Sequence, residues 1–167
     1  EFTDRVLFVG PDFLQNKENP LFIEDNTLFA DWKEQAATDG LQVRTGRWNI
    51  PGQPLVLLVE FLPFFEQKNQ IYTDMWNDFQ IDSLHAYGDY DEASMFSYAS
   101  AKVVESFYRF NLTKNDKVVY QAHEWMTGLG ALYLQKAVPE IATIFTTHAT
   151  SIGRSIAGNN KPLYDYL

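Results

Sequence analysis

Residues 117–154 read KVVYQAHEWMTGLGALYLQKAVPEIATIFTTHATSIGR, and the architecture turns on this stretch. Lys117 to Tyr120 forms a short apolar run that predicts a strand, and Gln121 to Trp125 predicts a polar corner. Met126 to Ala137 has the apolar character of a packed helix, which Pro139 ends. The unit then begins again. Ile141 to Thr147 is apolar and β-branched, as a buried strand should be, and His148-Ala149-Thr150 leads into a short segment starting near Ser151. Strands alternating with helices at these lengths predict a parallel sheet with helices on both faces, a Rossmann-like α/β domain.

Upstream, Arg5 to Val9 closing on Gly10-Pro11 predicts a strand ending in a turn, and Asp12 to Asn26 predicts a loop. Trp32 to Thr38 predicts a helix ended by Gly40. Val43 to Trp48 and Leu55 to Phe61 predict two strands, and Pro51-Gly52-Gln53-Pro54 between them signals a hairpin or tight loop. Leu62 to Tyr90 is expected to be irregular, its aromatic side chains serving core packing rather than sugar stacking. From Asp91 onward Met95, Phe96, Ala99, Val103, Phe107 and Phe110 recur at three- and four-residue spacing, which predicts one long helix. No linker or repeat divides residues 1–167, so a single domain is expected.

Composition excludes several classes of function. The 46% hydrophobic content is too high for a disordered chain, and a mean hydropathy of −0.27 is wrong for a membrane protein. Thirteen basic against twenty-two acidic residues leave a net charge of −9, which argues against nucleic acid or an anionic bilayer as partner. The chain has no cysteine, which removes disulfides, thiolate metal sites and cysteine nucleophiles and favours a reducing compartment. With no signal-peptide pattern after Glu1, a cytoplasmic location is expected. Asn111-Leu112-Thr113 matches a glycosylation sequon, read as a chance match.

Ligands of open parallel sheets bind beyond the carboxyl ends of the strands. His123 and His148 each follow a strand on that edge, which makes them the site candidates. Arg154 stands six residues after His148, behind Thr150 and Ser151 as candidate helix caps, and a helix N-terminus with an Arg in its first turn suits a phosphate or diphosphate. An exposed Arg154 paired with Asp165 is the structural alternative. Glu124 at a strand end suits a sugar hydroxyl. Strand-to-helix packing, with Trp125 in the core and His123 bonded to backbone, is the alternative there. Gly128 and Gly130 would let the next helix approach the sheet or a ligand closely. A zinc site from His85, His123, His148 and Glu124 lacks paired ligand spacing, and neither a Gly-x-Ser-x-Gly elbow nor a dinucleotide fingerprint is present. No metal and no cofactor is expected.

The segments His123-Glu124-Trp125-Met126-Thr127-Gly128 and Ala142 through His148-Ala149-Thr150-Ser151-Ile152-Gly153-Arg154 resemble the signatures of the eukaryotic-type glycogen synthase family, in the family's order. Weaker similarity runs back through Asp89–Ala93 and Gly46–Gly52 to Val9-Gly10-Pro11. The resemblance implies the N-terminal lobe of a retaining, two-lobed GT-B glycosyltransferase that moves glucose from a nucleotide sugar, expected to be UDP-glucose, to the non-reducing end of an α-1,4-glucan. It implies that His148 lies against the donor sugar and the reacting centre, that Arg154 helps hold the donor diphosphate, and that Glu124 and His123 lie on the acceptor side. The implied partners are the nucleotide-sugar donor, the glucan acceptor and a C-terminal lobe, with a homo-oligomer left open.

Three departures accompany the resemblance. No glycine-rich Lys-Val-Gly-Gly-Ile-type loop precedes Glu1, Glu92-Ala93-Ser94-Met95 stands where the family has Glu-Ala-Asn-Asp, and the second lobe is absent. The chain is therefore expected to be a fragment, inactive alone. The rival expectation from another class is a non-catalytic glucan-binding or scaffold descendant of the same lobe.

Overall fold

In the computed structural model, which describes residues 5–13, 19–86, 88–162 and 165, the chain builds two sheets joined by a helical layer. The first has the order β1 (Leu7–Pro11), β4 (Leu55–Val59), β3 (Val43–Trp48), β2 (Phe22–Glu24). The second pairs β5 (Val119–His123) with β6 (Ala142–Thr146). Among the described residues five α-helices accompany the sheets: α1 (Ala30–Thr38), α2 (Lys68–Phe79), α3 (Tyr90–Asn111), α4 (Gly128–Ala137) and α5 (Ser151–Gly158).

The expected all-parallel sheet is corrected. The pairs β1–β4 and β5–β6 are parallel, but β3 runs antiparallel to both β4 and β2. The cause is the Pro51–Pro54 turn, which returns the chain directly so that Val43 meets Val59 and Arg47 meets Leu55. Strand β2 falls inside the expected loop of residues 12–26, of which 14–18 lie outside the described residues. Its three residues are too few for a periodic pattern, and what holds them is pairing with β3, Phe22 opposite Trp48.

Helices on both faces of the four-stranded sheet are corrected too. Side chains alternate along β4, so Leu57 and Val59 face one way and Val56 and Leu58 the other. The first pair joins the main core with Trp32 and Ala36 of α1, Met95, Ala99 and Val103 of α3, and Ile71, Tyr72 and Met75 of α2. On the opposite face Val56 and Leu58 cluster with Phe22 and Trp48, and among the described residues no helix joins them.

Trp32 anchors the main core. It is fully buried, meets the Phe107 ring edge-on at 5.0 Å, and its indole N–H donates to Ser106 Oγ at 3.1 Å, so its polar atom is satisfied. Helix α1 ends where expected, because Gly40 adopts φ +78°, a conformation glycine takes without Cβ strain.

The stretch expected to be irregular, Leu62 to Tyr90, holds a 3-10 turn over 62–67 and then α2. Only Ile71, Tyr72 and Met75 of this helix are buried, a stripe too narrow to stand out in sequence. Its packing on α3 is fixed by Asp91, which accepts from Tyr72 Oη at 2.7 Å and pairs with Lys68. The aromatic side chains Phe64, Tyr72 and Phe79 serve the core as expected, whereas Phe65 and Trp76 are exposed.

Helix α3 follows the expected apolar face from Met95 to Phe107, but Phe110 is 48% exposed, and the middle of the helix sets the position of α4. Gly130 N–H donates to Ser97 Oγ at 2.7 Å, which brings the two helices into close approach. The missing side chain of Gly130 thus admits a helix rather than the sheet, whereas Gly128 faces the Phe145 ring of β6. Two turns on, Glu105 accepts from Tyr133 at 2.6 Å and from Arg109 and Lys102. Burial pushes the Glu105 carboxyl up, but these donors and the Lys102 charge outweigh it and hold the group below the usual carboxylate range. Arg109 also donates to the Ala137 carbonyl at 3.0 Å, so helix α4 is clamped to α3 from its first turn to its last residue and carries β5 and β6 with it. No helix among the described residues is long and apolar enough to cross a membrane.

Candidate active site

The chemistry-bearing residues gather at the carboxyl end of the β5–β6 pair. The parallel register aligns His123, the last residue of β5, with Thr146, the last of β6, and His148 follows two residues later. Strand β5 runs through to His123 where a polar corner was expected, because its backbone keeps pairing with β6 regardless of side-chain polarity. The two imidazoles lie nearly parallel, 12° apart, with His123 Nδ1 and His148 Nε2 separated by 3.0 Å. One nitrogen must donate and the other accept, so each ring constrains the other's tautomer. Both residues are exposed.

Glu124 sits between them in a conformation that sequence does not announce. Its φ of 63° and ψ of 169° belong to a region that is essentially glycine's, at a cost of about 1–3 kcal/mol for a residue with a side chain. Surrounding bonds hold it there. Glu124 N–H donates to Thr146 O at 2.8 Å, one step beyond the strand ladder. Thr127 Oγ1 donates to the His123 carbonyl at 2.7 Å. The carboxylate crosses to the other strand's loop, where Oε1 accepts the backbone N–H of His148 and that of Ala149, the latter at 3.0 Å.

The His148 N–H, opposed by partial desolvation and joined by the Ala149 N–H and the charges of His148 and Arg154, holds the Glu124 carboxyl below the ordinary value of 4.5. The group is therefore an anion at neutral pH. The contacts it makes are at full strength above that ordinary value and weaken as pH falls through the lowered one.

Arg154 lies on α5, capped by Thr150, whose side chain accepts from Gly153 N–H at 2.9 Å. Thr150 is one of the two caps expected. Among the described residues Arg154 forms no ion pair, with Asp165 or any other carboxylate, and its charge reaches Glu124. Helix α5 buries no residue, and Ile152 is 68% exposed.

Trp125 departs from the core-packing alternative. It is 53% exposed, and its ring lies parallel to Tyr90 at 6.2 Å. His85 stands in the turn before α3 beside Asp82, and among the described residues no group of three or more His, Asp or Glu side chains could hold a metal ion. The arrangement thus offers two coupled imidazoles, an anchored carboxylate and a guanidinium beside a helix N-terminus. Such a set can hold an anionic leaving group and orient hydroxyls near a reacting carbon.

A family model described as Glycogen synthase matches residues 1–167. The chain is similar to the Glycogen [starch] synthase of Neurospora crassa, 29% identical over 171 residues that cover all of this chain and 24% of that protein. It is similar to that of Dictyostelium discoideum, 32% identical over 130 residues, 77% of this chain and 14% of that protein. The liver enzyme of Homo sapiens is 31% identical over 174 residues, again all of this chain and 24% of that protein. The chain spans about a quarter of the length of the Neurospora and human relatives.

Proposed function

The chain belongs to the glycogen synthase family, and from that premise we propose that it forms the N-terminal lobe of a retaining GT-B glycosyltransferase, a Rossmann-like lobe that works with a C-terminal one. The reaction moves glucose from a nucleotide sugar, UDP-glucose, to the non-reducing end of an α-1,4-glucan. The bond from glucose C1 to the diphosphate oxygen breaks, a bond from C1 to the acceptor oxygen forms, and the acceptor hydroxyl's proton leaves with the diphosphate.

The observation that supports this reading most is the meeting of His123, Glu124 and His148 at one open strand end, within reach of the Arg154 charge. His148 lies against the donor sugar. Arg154 and the N-terminus of α5 receive the charge that grows on the departing diphosphate, since guanidinium and helix N–H groups suit phosphate oxygens. His123 and the Glu124 Oε2 oxygen, which takes no hydrogen bond among the described residues, face the acceptor hydroxyls. The C-terminal lobe closes over this edge and completes the donor site.

Arg154→Ala tests the assignment. In the full-length protein it should weaken UDP-glucose binding about tenfold, the worth of one charge-assisted contact, and leave glucan affinity within twofold, about half a kcal/mol. Calorimetric titration with each ligand reads both. An unchanged affinity for the nucleotide sugar would remove Arg154 from the donor site.

A further inference from the structure

We infer that Glu124 is the positioning residue for His148: its carboxylate fixes the turn after β6 through two backbone N–H groups, so that the imidazole meets His123 at the open strand end. This rests on the functional reading above and adds a task to the carboxylate that faces the acceptor.

Four observations carry it. Glu124 holds a backbone conformation that glycine would adopt without strain, yet the side chain present is the one that reaches the neighbouring loop. A residue kept in such a conformation is over-determined by its surroundings. The bonds from Glu124 N–H to Thr146 O and from Thr127 Oγ1 to the His123 carbonyl supply that constraint. Oε1 accepts two successive N–H groups, and hydrogen bonds to an ionised acceptor are roughly twice as strong as neutral ones. Lastly, the hydrogen bond that the His148 ring makes among the described residues is to His123, and the other bond across its turn, Thr147 Oγ1 to the Ala149 carbonyl, is a local one of 3.3 Å. The ring's place is thus inherited from the backbone that Glu124 holds.

A carboxylate serving the acceptor alone would leave the donor side untouched when removed; a positioning carboxylate would not. The full-length protein, Glu124→Ala and Glu124→Gln are compared for hydrolysis of UDP-glucose without glucan, and for the His148 amide signal in histidine-labelled protein, assigned with His148→Gln. Displacing a reacting group by about 1 Å costs about a hundredfold, so Glu124→Ala should lose that factor in hydrolysis. Glu124→Gln, whose amide oxygen can accept the same two N–H groups, should recover to within about tenfold of the parent. The His148 amide should shift in Glu124→Ala and return toward its parent position in Glu124→Gln. Parent-like hydrolysis in Glu124→Ala, with transfer to glucan lost, overturns the positioning role and leaves the acceptor role standing. If the parent protein neither hydrolyses UDP-glucose nor transfers glucose to glucan, the functional reading falls instead; if it transfers without hydrolysing, or does neither, the amide decides: unmoved in Glu124→Ala, it overturns the inference, and shifted, it upholds the anchoring.

Discussion

Replacing His148 with alanine in the full-length protein should lower glucose transfer by about three orders of magnitude while leaving folding intact. A side chain that positions or exchanges a proton in a transition state contributes about 10²–10⁴-fold. The proposed function assigns His148 a role of that size; it stands beyond the end of β6 with its ring exposed and hydrogen-bonded to His123. Folding should be indifferent for the same reason: the ring belongs to none of the hydrophobic clusters. The Glu124 anchor should survive as well, since it uses the His148 backbone and not its side chain. Initial rates with UDP-glucose and glucan, beside the thermal unfolding midpoint, separate the two effects. Turnover equal to the parent's would defeat the assignment, and so would a loss of rate matched by a lower midpoint.

The sequence showed this site more clearly than it showed the sheet around it. Two apolar strand runs, each followed by a histidine, stand out in residues 117–148, and parallel pairing of their ends brings His123 and His148 together. The Thr150 cap was equally legible, since a hydroxyl before a helical run has one dominant use. The direction of β3 was half legible. Pro51 to Pro54 signalled a hairpin, and a hairpin makes antiparallel strands, but the alternation of strand and helix downstream suggested one parallel sheet throughout. Strand β2 and helix α2 are held by tertiary partners, Trp48 for the first and Asp91 for the second, and local pattern carries little trace of either. Least legible was Glu124. Its type suggested a ligand for sugar hydroxyls, and its positive φ, which turns the carboxylate onto another strand's loop, follows from bonds to Thr146 and Thr127 that no local spacing encodes.

Gly130→Ala should destabilise the layer of α3 and α4 even though alanine is the better helix former. In an exposed helix the exchange gains about 1 kcal/mol. At Gly130 an added Cβ would stand 2.3 Å from the Ser97 carbonyl oxygen and 3.0 Å from Ser97 Oγ. The first of these is backbone in the middle of α3, so no side chain can rotate away. The two helices must part, which stretches the Gly130 N–H to Ser97 Oγ bond and opens the core around Leu129 and Met95. Overpacking of this kind costs about 1–3 kcal/mol, occasionally more. Contact with main chain puts Gly130 at the upper end, leaving a net loss of about 2 kcal/mol after the propensity gain. Gly158 is the control, since it also lies in a helix but has nothing within 4 Å of where its Cβ would be. Native-state hydrogen exchange on the full-length protein reads both. Amides of α3 and α4 should exchange about thirtyfold faster in Gly130→Ala, the equivalent of about 2 kcal/mol, and at the parent rate in Gly158→Ala. Because α4 carries β5 and β6, the loosening should spread to amides near His123 and Thr146. Protection in Gly130→Ala equal to or above the parent's would show that the helices are not pressed together at Ser97.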